Sequence, residues 1–370
     1  MKALWILRSV APALVALTLS LPAAAHNGGG GLGLSSYAVH NLVSDGSVPA
    51  DTTDTNLVNA WGLAFNPFGP AWVSDNGTGL STLYDGAGNI APLVVAIPNG
   101  AAPTGIVFND SAFLRPADFV VTDGTKSGPA LFMFATEAGT IAGWAPSVDL
   151  PHAFNAVDNS AGGAIYKGLA LSAGGSGSLL YATDFHNRRI DVFNAAFQPV
   201  QVSGGFNDAM IPADFAPFGI QQINGDIYVT YAQQDADKVD DVHGRGLGYV
   251  DVFDPNGNLL QHVAMRGFLN APWGLAVAPA GFGQFAGRLL VGNFGDGTIN
   301  AYDITTGRWV GWLTGNDRRP LQIDGLWGLS FGNGFLGQSV DTLYFTAGPD
   351  DEAHGVYGRI TATTIPKGHH

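Results

Sequence analysis

The 370-residue chain has no cysteine, only 12% charged residues, and 16 basic residues against 30 acidic ones. Without thiols there are no disulfides, and every cysteine-based catalytic or zinc mechanism is excluded. A chain of this length can manage without disulfides because its core is large. The formal net charge of −14 opposes association with nucleic acid or an anionic membrane, since both are negative. Walker and dinucleotide motifs are missing. Gly28-Gly29-Gly30-Gly31 opens no helix, and Gly175-Ser176-Gly177 lacks the strand–elbow–helix setting of a serine nucleophile.

Long apolar runs are confined to the start. Lys2 and Arg8 make a basic segment ahead of the apolar stretch from Val10 to Leu21, and Ala23-Ala24-Ala25 offers small residues for cleavage. This reads as a signal peptide over residues 1–25, too short for a span of about 20 residues. Export to the periplasm or beyond follows as an expectation, with no membrane insertion after cleavage. Residues 26–36 read as a Gly-rich linker. Its first residue, His26, would pair an amine with an imidazole, a copper-chelating combination, or is simply the end of a frayed segment.

Glycine and aromatics are abundant, with 52 Gly, 22 Phe, 10 Tyr and 8 Trp, which suits short strands and tight turns. A phrase around one glycine recurs: Trp61-Gly62-Leu63, Thr104-Gly105-Ile106, Lys167-Gly168-Leu169, Phe218-Gly219-Ile220, Trp273-Gly274-Leu275 and Trp327-Gly328-Leu329, at intervals of 43 to 63 residues. Each phrase leads to a second strand, read as Ala71–Asn76, Phe119–Asp123, Leu180–Asp184, Ile227–Tyr231, Leu289–Asn293 and Leu343–Ala347. Alternating third strands follow, clearest in Arg189–Phe193, Tyr249–Phe253 and Thr298–Asp303. Four short strands per unit is the arithmetic of a propeller blade. The chain is therefore expected to be all-β, a six-bladed β-propeller of four-stranded blades over residues 37–361, with a tail at 362–370. The sixth unit lacks a fourth strand, which Tyr37–Val43 is expected to supply, leaving no open edge.

The repeated Gly-Leu/Ile phrase and Tyr249-Val250-Asp251-Val252-Phe253-Asp254 resemble NHL-type six-bladed propellers. The run from Asn41-Leu42-Val43-Ser44-Asp45 through Asn59-Ala60-Trp61-Gly62-Leu63 to Ser74-Asp75-Asn76-Gly77 is similar to an uncharacterised family of exported bacterial propellers, some associated with PEP-CTERM sorting. That resemblance implies a fold and a compartment but no reaction. The ending Pro366-Lys367-Gly368-His369-His370 carries no sorting helix, so the chain reads as released and monomeric.

Loops entering the first strand and loops joining the second and third strands share one face, around the mouth of the channel. Trp61, Lys167, Phe218, Trp273 and Trp327 are expected there, either as a stacking platform for a sugar or other flat ligand or as plugs between blades. The same face receives Asp75, Asn76, Asp123, Asp184, His186, Asn293, Asp296, Asp350, Asp351, Glu352 and His354. The fourth loop adds Asp235, Asp237, Asp240, Asp241 and His243. Crowded carboxylates favour a cation between them, so Asn76, Asp184, His186, Asp237, Asp240, Asp241, His243 and Asn293 form the candidate ligand set for Ca²⁺ or another divalent ion. A solvated acidic loop is the alternative. His40 and His262 lie within strands and read as packed or edge residues. Two functions stay open: a module binding a protein, peptide or saccharide at the mouth, or a Ca²⁺-dependent hydrolase or lactonase at the same place. A copper oxidoreductase is a remote third.

Overall fold

The computed structural model describes residues 35–174 and 177–364. The signal segment, His26, Gly28–Gly31 and residues 365–370 lie outside the described residues. Short antiparallel strands dominate, and helical structure among the described residues is limited to four 3-10 turns.

Six sheets follow one another along the chain. Blade one comprises Ala60–Phe65, Ala71–Asp75, Leu80–Tyr84 and Val95–Ala96. Blade two comprises Pro103–Phe108, Phe132–Thr136, Thr140–Trp144 and Phe154–Asp158. Blade three has three strands, Tyr166–Gly174, Gly177–Asp184 and Arg189–Asn194, and its fourth position is reduced to a bridge between Phe193 and Pro199. Blade four is Phe215–Ile223, Asp226–Gln233, Tyr249–Phe253 and Leu259–Met265; blade five is Pro272–Val277, Leu289–Asn293, Ile299–Tyr302 and Trp309–Trp312. Blade six takes Leu326–Phe331, Leu343–Ala347 and Val356–Thr364 from the end of the chain and Ser35–Ser44 from its start.

The closing pair is antiparallel, with Ser35 opposite Thr364 and Ser44 opposite Val356. It is longer than the segment expected from the sequence, reaching back to Ser35 and on to Thr364. The first strands of successive blades touch in order round the ring, and that of blade six meets that of blade one. Apolar cores fill the gaps between blades, as where Tyr181, Phe206, Phe215, Tyr249 and Phe253 pack between blades three and four.

The repeated glycine has a steric cause. A Cβ on Gly62 would lie 2.3 Å from the Thr104 carbonyl oxygen, and one on Gly219 would lie 2.2 Å from that of Trp273. Each of these carbonyls belongs to the residue before the next blade's glycine, so only a residue without a side chain lets neighbouring inner strands approach. Second-strand threonines stitch the same seam: Thr183 Oγ1 donates to the Phe218 carbonyl at 2.7 Å. The residues after the glycines, Leu63, Ile106, Leu169, Ile220, Leu275 and Leu329, line a channel narrowed to about 20 Å³, room for about one water.

Blade two corrects one strand assignment. Val120–Thr122 pairs with Ser127–Pro129 in a separate two-stranded sheet, and the second strand is Phe132–Thr136. That strand is buried along its whole length, so it shows none of the alternation by which half-buried strands are read. The small hairpin occupies the extra length of the longest inter-glycine interval. Asp123 sits at its tip, accepting from the backbone of Thr125 and Lys126 at 2.7 and 2.6 Å, and leaves the mouth position to Glu137.

Candidate functional site

The residues before the ring glycines form the layer above the channel. Trp61, Phe218 and Trp327 are buried, and Trp273 is partly so. Trp61 stacks on Trp327 with ring centroids 3.7 Å apart, and Phe294 stacks on Trp327 at 3.8 Å. Phe218 meets Trp327 edge-on, as does Trp273. The aromatic faces are spent on one another. They plug the channel, the second of the two arrangements the sequence allowed; rings of this size gain more from mutual burial than from water.

Lys167 is the odd member of this layer. It is 1% exposed, with its ammonium over the Trp61 ring, 5.1 Å from the centroid. Its Nζ donates to Glu137 Oε1 and, at 3.0 Å, to Asp240 Oδ1. Burial works against its charge, but Glu137 and Asp240 more than offset that and raise its pKa. A chain of amides extends the network. Asn76 Nδ2 donates to Glu137 Oε2 at 2.9 Å, and Asn59 Nδ2 donates to Asn76 Oδ1 and to Glu352 Oε2. Trp327 Nε1 donates to Asn59 Oδ1 at 3.1 Å, tying the network to the plug.

Above lies an open basin of about 430 Å³ lined by Glu137, Ile165, Val239, Asp240, Asp351 and Glu352. Glu352 reaches it from a loop in which Asp350, Asp351 and Glu352 all have positive φ, at 58°, 50° and 67°. Three successive non-glycine residues in the left-handed region cost of order 1–3 kcal/mol each. Burial first, then the nearby Glu137 and Asp240 charges, push the Glu352 carboxyl up to about 7, against the opposing pull of Lys167 and Asn59.

The candidate ligand set does not converge. Asp184 is buried and clamps its own loop, accepting from Ile165 N and from Asn187 N and Nδ2, with Arg189 at 3.2 Å. Asn293 does the same in blade five, through Phe268, Asp296 and Thr298. His186 Nδ1 meets the Lys238 carbonyl at 3.2 Å. His243 pairs with Asp241 at 3.1 Å, and that contact raises its pKa. His354 turns away to Asp45, 2.7 Å distant. Asp237 is exposed. Of the set, only Asn76 and Asp240 join the mouth network, and there the Lys167 ammonium occupies the position between carboxylates that a cation would take. The donors at the mouth therefore do not fit a Ca²⁺ ion, which needs about six to eight oxygens.

Glu137 and Asn59 were not singled out from the sequence as site residues, yet a signal was there. The chain has only two glutamates among its 30 acids, Glu137 and Glu352, and both stand at the mouth. The longer arm brings a carboxylate inward from a loop where aspartate would remain at the rim.

No family model matches the chain. The uncharacterized protein R648 of Acanthamoeba polyphaga mimivirus is 33% identical over 339 residues, covering 88% of this chain and 80% of that protein. The uncharacterized protein L690 of the same virus is 31% identical over 344 residues, covering 90% and 87%. Among solved structures, a Bacteroides thetaiotaomicron protein of unknown function superposes with a TM-score of 0.57 at 11% identity, covering 89% of this chain and 77% of that one. A gluconolactonase from Xanthomonas campestris gives 0.50 at 14%, covering 83% and 87%. At these identities the solved structures speak for the fold alone. The sequence relatives go further, and the chain belongs to the family of propeller-length proteins that includes R648 and L690 of mimivirus.

Proposed function

We propose that this chain is an exported NHL-like binding propeller whose mouth takes a cationic group, such as a lysine or arginine side chain of a protein or peptide or an amino group of a saccharide. The carrying observation is the charge of the basin: of its four carboxyl groups, Glu137, Asp240, Asp351 and Glu352, only Glu137 and Asp240 pair with the Lys167 ammonium. The excess favours a positive partner, because like charges this close raise one another's energy. The plugged channel makes the mouth a docking floor, not a passage. Export is supported by the pattern of Lys2, Arg8, the apolar run and Ala23-Ala24-Ala25.

Titration calorimetry with a tri-lysine peptide and a matched tri-glutamate peptide, at low and physiological ionic strength, tests this reading. The lysine peptide is expected to bind, and the double variant Asp351→Asn/Glu352→Gln to weaken it about tenfold or more, roughly 1.4 kcal/mol. Asp110→Asn, on a connection at the opposite face, should leave binding unchanged. Equal binding of both peptides, or equal sensitivity to Asp110→Asn, would sink the proposal.

A hydrolase at the same mouth is the second reading. Glu352 favours it, since a carboxyl held near 7 beside the Asn59 amide is suited to hold or pass a proton at neutral pH. Turnover of a simple aryl lactone such as dihydrocoumarin, lost in Glu352→Gln, would support it.

A further inference from the structure

We infer a second site, away from the mouth: a divalent transition-metal site between blades three and four, held by Asp208, Asp251 and His262 beside the Tyr231 hydroxyl. Asp251 lies at the centre of the third strand of blade four, and His262 stands directly opposite it on the fourth. Asp208 comes from the connection between the two blades. His262 Nδ1 is 3.0 Å from Asp251 Oδ1 and 3.3 Å from Asp208 Oδ2, and one ligand atom from each residue falls within 4.8 Å of the others. Ligands about 2.0–2.1 Å from a tetrahedral zinc ion are about 3.3 Å apart. The pocket already has nearly that spacing.

The surrounding hydrogen bonds are incomplete in the way a missing cation would leave them. Asp251 Oδ2 and the Tyr231 hydroxyl are buried without a hydrogen-bond partner, and Asp208 Oδ2, also buried, has only the His262 ring beside it at 3.3 Å. Tyr231 is 4% exposed, and its hydroxyl is close enough to Asp251 and Asp208 for their charges to add to the effect of burial on its pKa. Most buried polar atoms in folded proteins have partners, so two orphans around one histidine need an explanation.

The corresponding third-strand positions next door sharpen the contrast. In blade three, Asp191 receives Arg189 Nε and the Tyr166 hydroxyl, both at 2.7 Å. In blade five the residue is the neutral Asn300, which accepts from Trp309 Nε1 at 3.1 Å. Here two carboxylates, one from the connection and one from blade four, face one imidazole, and among the described residues no arginine or lysine pairs with them. One nitrogen and two or three oxygens suit Zn²⁺ or Mn²⁺ better than Ca²⁺, which wants a larger all-oxygen shell. The His262 side chain is 30% exposed, which gives an ion a way in, and Tyr231 or a water would complete the shell.

The test is zinc or manganese alone, added to the full chain and followed by dialysis and elemental mass spectrometry, with melting curves alongside. One equivalent is expected to be retained and to raise the melting temperature. His262→Gln and Asp208→Asn should each weaken retention at least tenfold, and both are mild enough to keep the fold. The double variant His369→Ala/His370→Ala should retain the metal, separating the pocket from the terminal histidines. Cobalt substitution of the wild-type chain gives a second readout, with strong visible bands expected from a four-coordinate site. Less than one equivalent bound to the wild type, or retention indifferent to His262→Gln, would overturn the inference.

Discussion

Glu352 is stabilised in its protonated form by burial and by the neighbouring charges of Glu137 and Asp240. Its folded pKa of about 7 lies above the ordinary value of 4.5, so the folded chain holds this proton more tightly than the unfolded one. The resulting stability is full below about 4.5 and is lost as pH rises through about 7, an effect of order 2–3 kcal/mol. Asp251, pushed by burial to about 7 from 3.8, acts in the same direction. Melting curves across pH 5 to 8 are expected to show stability falling with pH, and Glu352→Gln should flatten that slope without abolishing it, because Asp251 remains. A slope unchanged by Glu352→Gln would mean that the carboxyl titrates as an ordinary surface acid.

At the scale of the element, the inner strand is defined by its glycine and the carbonyl that approaches it. Gly219→Ala would place a methyl 2.2 Å from the Trp273 oxygen. Because that atom is backbone, the blades must part, with an expected loss of about 1–3 kcal/mol. Gly162→Ala, with nothing within 4 Å of the added carbon, should change stability by less than about 0.5 kcal/mol. Denaturant titration of both variants checks the contrast. The ring glycines were legible because they repeat. The second strand of blade two was not, since Phe132–Thr136 is buried on both faces and the hairpin of Val120–Thr122 offers a more strand-like pattern nearby. Fourth strands were the faintest, reduced in blade one to Val95–Ala96 and in blade three to a single bridge.

For the whole molecule, the joint in blade six ties both ends of the described chain into one sheet. Leu42 and Val43 are fully buried there, and Ser36 Oγ lies 2.7 Å from Thr363 Oγ1 across the pair. Deleting residues 35–44 would strip Val356–Thr364 of its outer partner, leaving only Leu343–Ala347, and expose a long unpaired edge, a template for association. Such a variant is expected to aggregate or lose cooperative melting, whereas a chain beginning at Ser35 should melt like the longer one. Size-exclusion chromatography with calorimetry distinguishes these outcomes, and a monomeric, cooperative deletion variant would show that the ring holds without the joint.

The amino-acid sequence determined the number of blades, the ring of glycines and the origin of the closing strand, because each depends on a local pattern repeated six times or left incomplete once. It also marked the mouth residues Lys167, Asp240 and Asn76, since turn positions follow from strand order. Only the tertiary structure decided that the tryptophans stack on one another, that Lys167 is shared by Glu137 and Asp240, and that His262 faces two buried aspartates. Those outcomes depend on side-chain direction across blades far apart in the chain, which no local period encodes. A stack of rings, a buried ammonium and an unpaired carboxylate are each settled by what the neighbouring blade presents.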